Sequence, residues 1–271
     1  MKNICLLAAM AVLISAASCR DSGSGPLSEA EYLHLDSLLW MGYEARTDSI
    51  YALYDSLPEK RDSLTALSHK LLDDALAENV SLALRYASVP SGLQRVFMVR
   101  MKIPKDTLRA VLGRIPAELA SSPYADAIRM HIDNDQIEEG SRYYDFTATL
   151  PDSTSFTLSS LGGKKILLLY GGLGCMGEYG RSYLASLRDS LGRDSFDIVA
   201  YQPCSSLEEL KEVAGCYPLD VIQVSELKGD VGPFKILYGA QATPTCFLID
   251  RDGVVVVKTE GLDPRRFAEY L

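Results

Sequence analysis

The chain has 271 residues, room for two modest domains, and its 47% hydrophobic and 23% charged content is that of a folded protein. Its formal net charge is −9 at pH 7. A field of that sign repels phosphate backbones, so nucleic acid is excluded as a partner, and nothing in the charge balance points to an anionic membrane surface.

Met1-Lys2-Asn3 is a short positive start, residues 4–17 are apolar except for Ser15, and Ala16-Ala17-Ser18 precede Cys19. An apolar run of this length is short for a bilayer span and suits a signal-peptide core. Small residues directly before a cysteine resemble the lipobox of bacterial lipoproteins, with Ala16 in place of the more usual Leu. The resemblance implies cleavage before Cys19, lipidation of Cys19 and anchoring to a membrane through it. The alternative is an ordinary secretory signal with Cys19 a bystander. Residues 1–18 are therefore expected to be a lipoprotein signal peptide, and 19–26, polar and rich in Gly and Ser, a flexible tether. The expected location is the exported bacterial envelope, with an outer-membrane lipoprotein favoured over an inner one.

Residues 20–174 contain no cysteine, whereas the C-terminal half holds Cys175, Cys204, Cys216 and Cys246. An exported compartment permits disulfides between such residues. His34, His69 and His131 are well separated and all lie in the N-terminal half, so no metal centre is expected, nor any other cofactor.

From residue 27 to about 140 the pattern is helical. Tyr32, Leu35, Leu39 and Tyr43 recur at steps of three and four, as do Ile50, Leu53, Tyr54 and Leu57, then Leu64, Leu67 and Leu71. Pro58, Pro90, Pro104 and Pro116 divide the segments, and Ser122-Pro123 reads as a cap followed by proline at the first helical position. Five or six short helices are expected, with Trp40 in their core and His131 at the surface or boundary. No catalytic constellation stands out, and a scaffold or docking role is preferred.

At residue 141 begins a second domain, running to 271. Residues 146–150 and 155–158 flank a Pro-Asp-Ser-Thr turn and read as a hairpin. Ile166–Tyr170 is a continuous apolar run, expected of a central strand buried on both faces. A glycine-rich turn carries Cys175, and a helix follows with Tyr183, Leu184, Leu187 and Leu191 on one side. Phe196–Tyr201 reads as another buried strand, Ser206–Ala214 as a short helix, and residues 245–257 as a hairpin turned by Asp252-Gly253. Asp263-Pro264 opens a last helix.

This order, together with Tyr238-Gly239-Ala240-Gln241-Ala242-Thr243-Pro244-Thr245, resembles the exported thioredoxin-like thiol–disulfide oxidoreductases, the membrane-tethered kind related to cytochrome-maturation proteins. The expected fold is thus an α/β thioredoxin-like domain, a mixed sheet flanked by helices with an N-terminal β-hairpin, preceded by a small all-α domain. The resemblance places a cis-proline at Pro244, whose Thr243–Pro244 bond would face the reactive cysteine and present backbone to an extended chain. It implies a thiol- or disulfide-containing protein or peptide as partner. It also places the attacking thiol at Cys175, at a helix N-terminus where free N–H groups favour a thiolate.

In such enzymes a second thiol three residues on, nearly one helical turn, resolves the mixed disulfide. Here that position is Glu178, and the tryptophan that often precedes the first cysteine is Gly174. A carboxylate cannot form a disulfide. Three readings follow. Cys175 keeps at most monothiol chemistry, with Cys204 or Cys246 as candidate resolving thiols and Cys216 a buried structural one. Alternatively the fold is a non-catalytic module that grips a partner near Pro244. The third reading, a peroxiredoxin-like thiol peroxidase, wants Thr and Pro where the chain has Gly172 and Leu168.

Overall fold

The computed structural model describes residues 27–271. The signal peptide, Cys19 and the tether lie outside the described residues.

The N-terminal half consists of six helices, α1 (Glu29–Tyr54), α2 (Arg61–Arg85), α3 (Pro90–Met98), α4 (Lys105–Leu112), α5 (Ala117–Ala120) and α6 (Pro123–Asp133). Ser28 caps α1 by accepting from the Glu31 N–H at 3.1 Å, and Ser122 caps α6 by accepting from Ala125 at 3.2 Å. The expectation of short helices fails for α1 and α2, which form a long antiparallel pair broken only around Pro58. They are weakly amphipathic: Leu33, Leu38, Met41 and Tyr51 are exposed beside buried Tyr32, Leu39 and Ile50. Trp40 is half-buried rather than core, edge-on to Tyr43.

His131 also departs from expectation. It is buried, because it shares a helix face with Ala127 and Ile128, four and three residues before it. Burial, with the nearby positive charges of Arg100 and Lys105, pushes its pKa down to about 4. The unfolded chain takes up this proton near its ordinary value, while the native chain resists it. The stability held by neutral His131 is therefore complete above about pH 6.5 and drains away as pH falls towards 4, by on the order of 2–3 kcal/mol. His131→Gln is expected to flatten this part of the curve, read as denaturant midpoints across that pH range. An unchanged slope in the variant would contradict the assignment.

In the C-terminal half, β1 (Thr147–Thr149) and β2 (Ser155–Thr157) form the expected antiparallel hairpin. A five-stranded sheet follows, built from β3 (Lys165–Tyr170), β4 (Phe196–Tyr201), β5 (Ile222–Val224), β6 (Thr245–Ile249) and β7 (Val255–Glu260). Its order is β5-β4-β3-β6-β7; β4 runs parallel to β3 and β5, and β6 runs antiparallel to β3 and β7. Between the strands come α7 (Gly177–Ser190), α8 (Leu207–Cys216) and α9 (Pro233–Leu237), with α10 (Pro264–Ala268) last. Strands β5 and α9 were not expected from the sequence.

The two-residue period of the central strands divides the core in two. Ile166, Leu168 and Tyr170 of β3 point to one face with Val199, Tyr201, Phe247 and Ile249. Leu167 and Leu169 point to the other with Ile198, Ala200, Cys246 and Leu184 of α7. Helix α9 is wedged between this sheet and the helical half. Phe234 belongs to the sheet's core, whereas Ile236 belongs to that of α2–α6. Buried Arg100 reinforces the seam, donating to the Phe97 carbonyl at 3.0 Å and to the Lys235 carbonyl of α9 at 3.4 Å.

Candidate functional site

The site lies at the C-terminal edge of β3. Gly171 donates to the Tyr201 carbonyl at 2.7 Å, which ties the turn to β4, and the chain then lies across the Thr243–Pro244 loop. A side-chain carbon on Gly172 would sit 2.6 Å from the Pro244 ring, at a backbone φ of +86°. Only glycine permits both the close approach and the left-handed conformation. The Thr243–Pro244 bond is cis. Pro244 is buried, and its carbonyl accepts from Gly261 at 2.7 Å; Thr243 is exposed. The parallel β3–β4 unit, the antiparallel β6–β7 pair and a cis-proline against the loop that leads into α7 decide the fold. The C-terminal half is a thioredoxin-like domain.

Cys175 and Glu178 are both exposed, Glu178 in the first turn of α7. The placement of Cys175 differs from the expected one. Helix α7 begins at Gly177, with Met176 as its cap, so Cys175 precedes the helix by two residues. Gly177 has φ +65°, a left-handed step between Cys175 and Glu178. The two positions are therefore not joined by a helical turn, and the Met176 N–H is already donated to the Gly172 carbonyl at 3.0 Å. Gly174 is explained by its neighbour. A carbon there would lie 2.6 Å from the Tyr217 hydroxyl, so the ring of Tyr217 fills the space a larger side chain would need. Arg181 locks this arrangement, donating to the Leu173 carbonyl at 3.2 Å with its guanidinium 5.8 Å from the Tyr217 ring centre. Tyr217 and Arg181 were not singled out in the sequence.

All four cysteines among the described residues are free thiols. Cys204 follows β4 as expected but is only 2% exposed, and its carbonyl accepts from Gly229 and from the Ser225 hydroxyl. Burial, with a smaller push from the Glu209 carboxylate, raises its pKa to about 11. Cys246 pairs with Leu169 across β6 and β3, fully buried, and burial pushes its thiol up to about 12 against a hydrogen bond with Thr259. Cys216 corrects the sequence reading: it is exposed. Leu210, Val213 and Tyr217 mark the inward side of α8, and Cys216 stands off it at the helix end.

No family model matches the chain, and no curated protein matches it. Solved structures do. The thioredoxin domain of a thiol-disulfide oxidoreductase from Bacteroides vulgatus is 23% identical, with 49% of this chain and 97% of that chain covered and a TM-score of 0.44. A thiol-disulfide oxidoreductase from Bacteroides fragilis is 14% identical over 48% of this chain and 100% of that chain, at a TM-score of 0.43. The C-terminal domain of an uncharacterized protein from the same species is 19% identical over 49% and 96%, at 0.39. Each likeness is one of fold.

Proposed function

We propose that this chain is a lipid-anchored envelope protein of thiol–disulfide exchange, in which Cys175 is the sole attacking thiol and the rapid dithiol cycle of a Cys-x-x-Cys enzyme is absent. The observation that carries the reading is the contrast among the thiols at this end of the sheet. Cys175 is exposed on the turn whose Gly172 abuts Pro244, Glu178 holds the resolving position, and Cys204 and Cys246 are sealed in the core. The anchor is Cys19, in the outer membrane, and the partner is a protein or peptide that carries a disulfide or thiol.

In the step proposed, the Cys175 thiolate attacks one sulfur of a partner disulfide. The partner S–S bond breaks, a Cys175–partner S–S bond forms, and the departing thiolate takes a proton from water. The Glu178 carboxylate cannot displace the partner sulfur to form a disulfide, so the mixed disulfide persists until another thiol attacks it.

Insulin-disulfide reduction tests this. The wild-type protein is expected to fall far below a Cys-x-x-Cys oxidoreductase. Turnover matching such an enzyme, abolished in Cys175→Ser, would overturn the reading. The left-handed step at Gly177 favours a second reading, since it takes Cys175 off the helix that would stabilise its thiolate. There the fold is a binding module at Pro244, and Cys175→Ala leaves its function intact.

A further inference from the structure

Two of the four thiols among the described residues are exposed, Cys175 and Cys216, and they flank a single contact. Gly174, next to Cys175, abuts the hydroxyl of Tyr217, next to Cys216. The end of α8 therefore leans on the loop that carries the attacking thiol. Arg181 of α7 holds both sides, through the Leu173 carbonyl on the loop and the Tyr217 ring on α8. Neither buried thiol has such a position. Cys246 packs with Leu169 and Leu184 of α7, and Cys204, within the β4–α8 connection, is buried.

We infer that Cys216 is the resolving thiol of this site, acting across the Tyr217–Gly174 contact in place of the missing thiol at Glu178. The inference rests on Cys175 as the attacking thiol. A partner disulfide is the oxidant. Cys175 displaces one partner sulfur and forms the mixed disulfide. Cys216, as a thiolate, then attacks the Cys175 sulfur, the Cys175–partner bond breaks, and a Cys175–Cys216 disulfide forms. Both partner sulfurs leave as thiols, so the partner gains the two electrons that the pair loses.

A disulfide needs Cα atoms roughly 4.4–6.8 Å apart, and the Tyr217 ring stands between Gly174 and the end of α8, so the loop must move to close the pair. It is built to do so. Gly172 is clamped by Pro244 and Leu173 is buried in the core, so the movement falls to residues 174–177, where Gly174 and Gly177 carry no side chain and no side chain caps α7. On the other side, Cys216 is the last residue of α8, followed by the Tyr217 cap and Pro218. Closure requires Tyr217 to swing off Gly174, which makes the second step slow relative to a pair within one motif.

The test uses oxidised glutathione with the wild-type protein and Cys216→Ser, followed by intact-mass measurement and non-reducing peptide mapping. Cys216 is exposed, so its serine variant keeps the fold. In the wild type the glutathione adduct at Cys175 is expected to form and then decay into a Cys175–Cys216 disulfide. In Cys216→Ser the adduct should outlast it by about tenfold or more. A wild-type adduct as persistent as the variant's, with Cys216 still free, would overturn this inference alone. So would a dimer linked through Cys216. Absence of any adduct at Cys175 in both proteins would remove the reading on which it rests, and this inference with it.

Discussion

In a Cys216→Ser background, which leaves Cys175 the one exposed thiol among the described residues, Cys175→Ser is expected to abolish mixed-disulfide formation with an oxidised peptide, whereas Cys204→Ala and Cys246→Ala leave its rate within about twofold. The physical ground is that exchange requires a thiolate that the partner sulfur can reach. Cys175 lies on the surface, in the turn that follows β3. The other two fail on both requirements. With pKa values pushed to about 11 and 12, they are ionised at pH 7 to about one part in 10⁴ and 10⁵. They are also buried, and no partner sulfur reaches them without local opening. Adduct yield by intact-protein mass spectrometry reads the result. An adduct in Cys175→Ser at the rate of its Cys216→Ser parent would move the chemistry to another thiol.

The second large effect lies away from the thiols. Phe234→Ala is expected to cost about 3–5 kcal/mol of stability, the upper range for emptying a core aromatic site. Phe234 is 1% exposed and stacks on Tyr201 at 4.2 Å and Tyr238 at 4.3 Å between ring centres, with Phe146 edge-on at 5.1 Å. It also lies parallel to Tyr170, the last residue before the Cys175 loop, at 6.0 Å. Because Ile236 of the same short helix is buried in the helical half, loss of α9 packing reaches both cores. Trp40 is the single tryptophan and lies in α1, so its fluorescence follows the helical half while circular dichroism follows the whole chain. Both denaturation curves are expected to shift together. A loss below about 1 kcal/mol, or a shift confined to one probe, would contradict the wedge role of α9.

Much of this architecture is written in the sequence at short range. The apolar run Ile166–Tyr170 could only be a strand covered on both faces, and its alternate residues divide between the two cores. The expected turn at Asp252-Gly253 joins β6 and β7, although the carboxylate that fixes it is that of Asp250, which accepts from Asp252 and Val254. What stayed hidden is either very short or fixed by tertiary contacts. Strand β5 is three residues long and pairs only with the last three of β4, too brief for a period to register. Helix α9 is a single turn whose identity comes from the two cores it joins. The length of α1 was masked by exposed Leu33, Leu38 and Met41, which blur its apolar stripe.

The site was half legible. The Thr243–Pro244 bond is cis and Gly172 meets Pro244, whereas Cys175 lies two residues before α7 instead of at its N-terminus. The left-handed step at Gly177 was not readable, because glycine is compatible with either hand. The exposure of Cys216 follows from its angle from Leu210 around α8 and not from its place at the helix end. The burial of His131 follows from its spacing to Ala127 and Ile128, which outweighs its polarity.

The most direct measurement of the central claim is the thiol state of the full-length protein taken from its native cells, trapped with an alkylating agent and mapped by mass spectrometry without reduction. The expected map has Cys204 and Cys246 as free thiols, with Cys175 engaged, either to a partner or small thiol or to Cys216. A Cys175–Cys204 or Cys175–Cys246 bridge, or Cys175 free throughout the population, would contradict it.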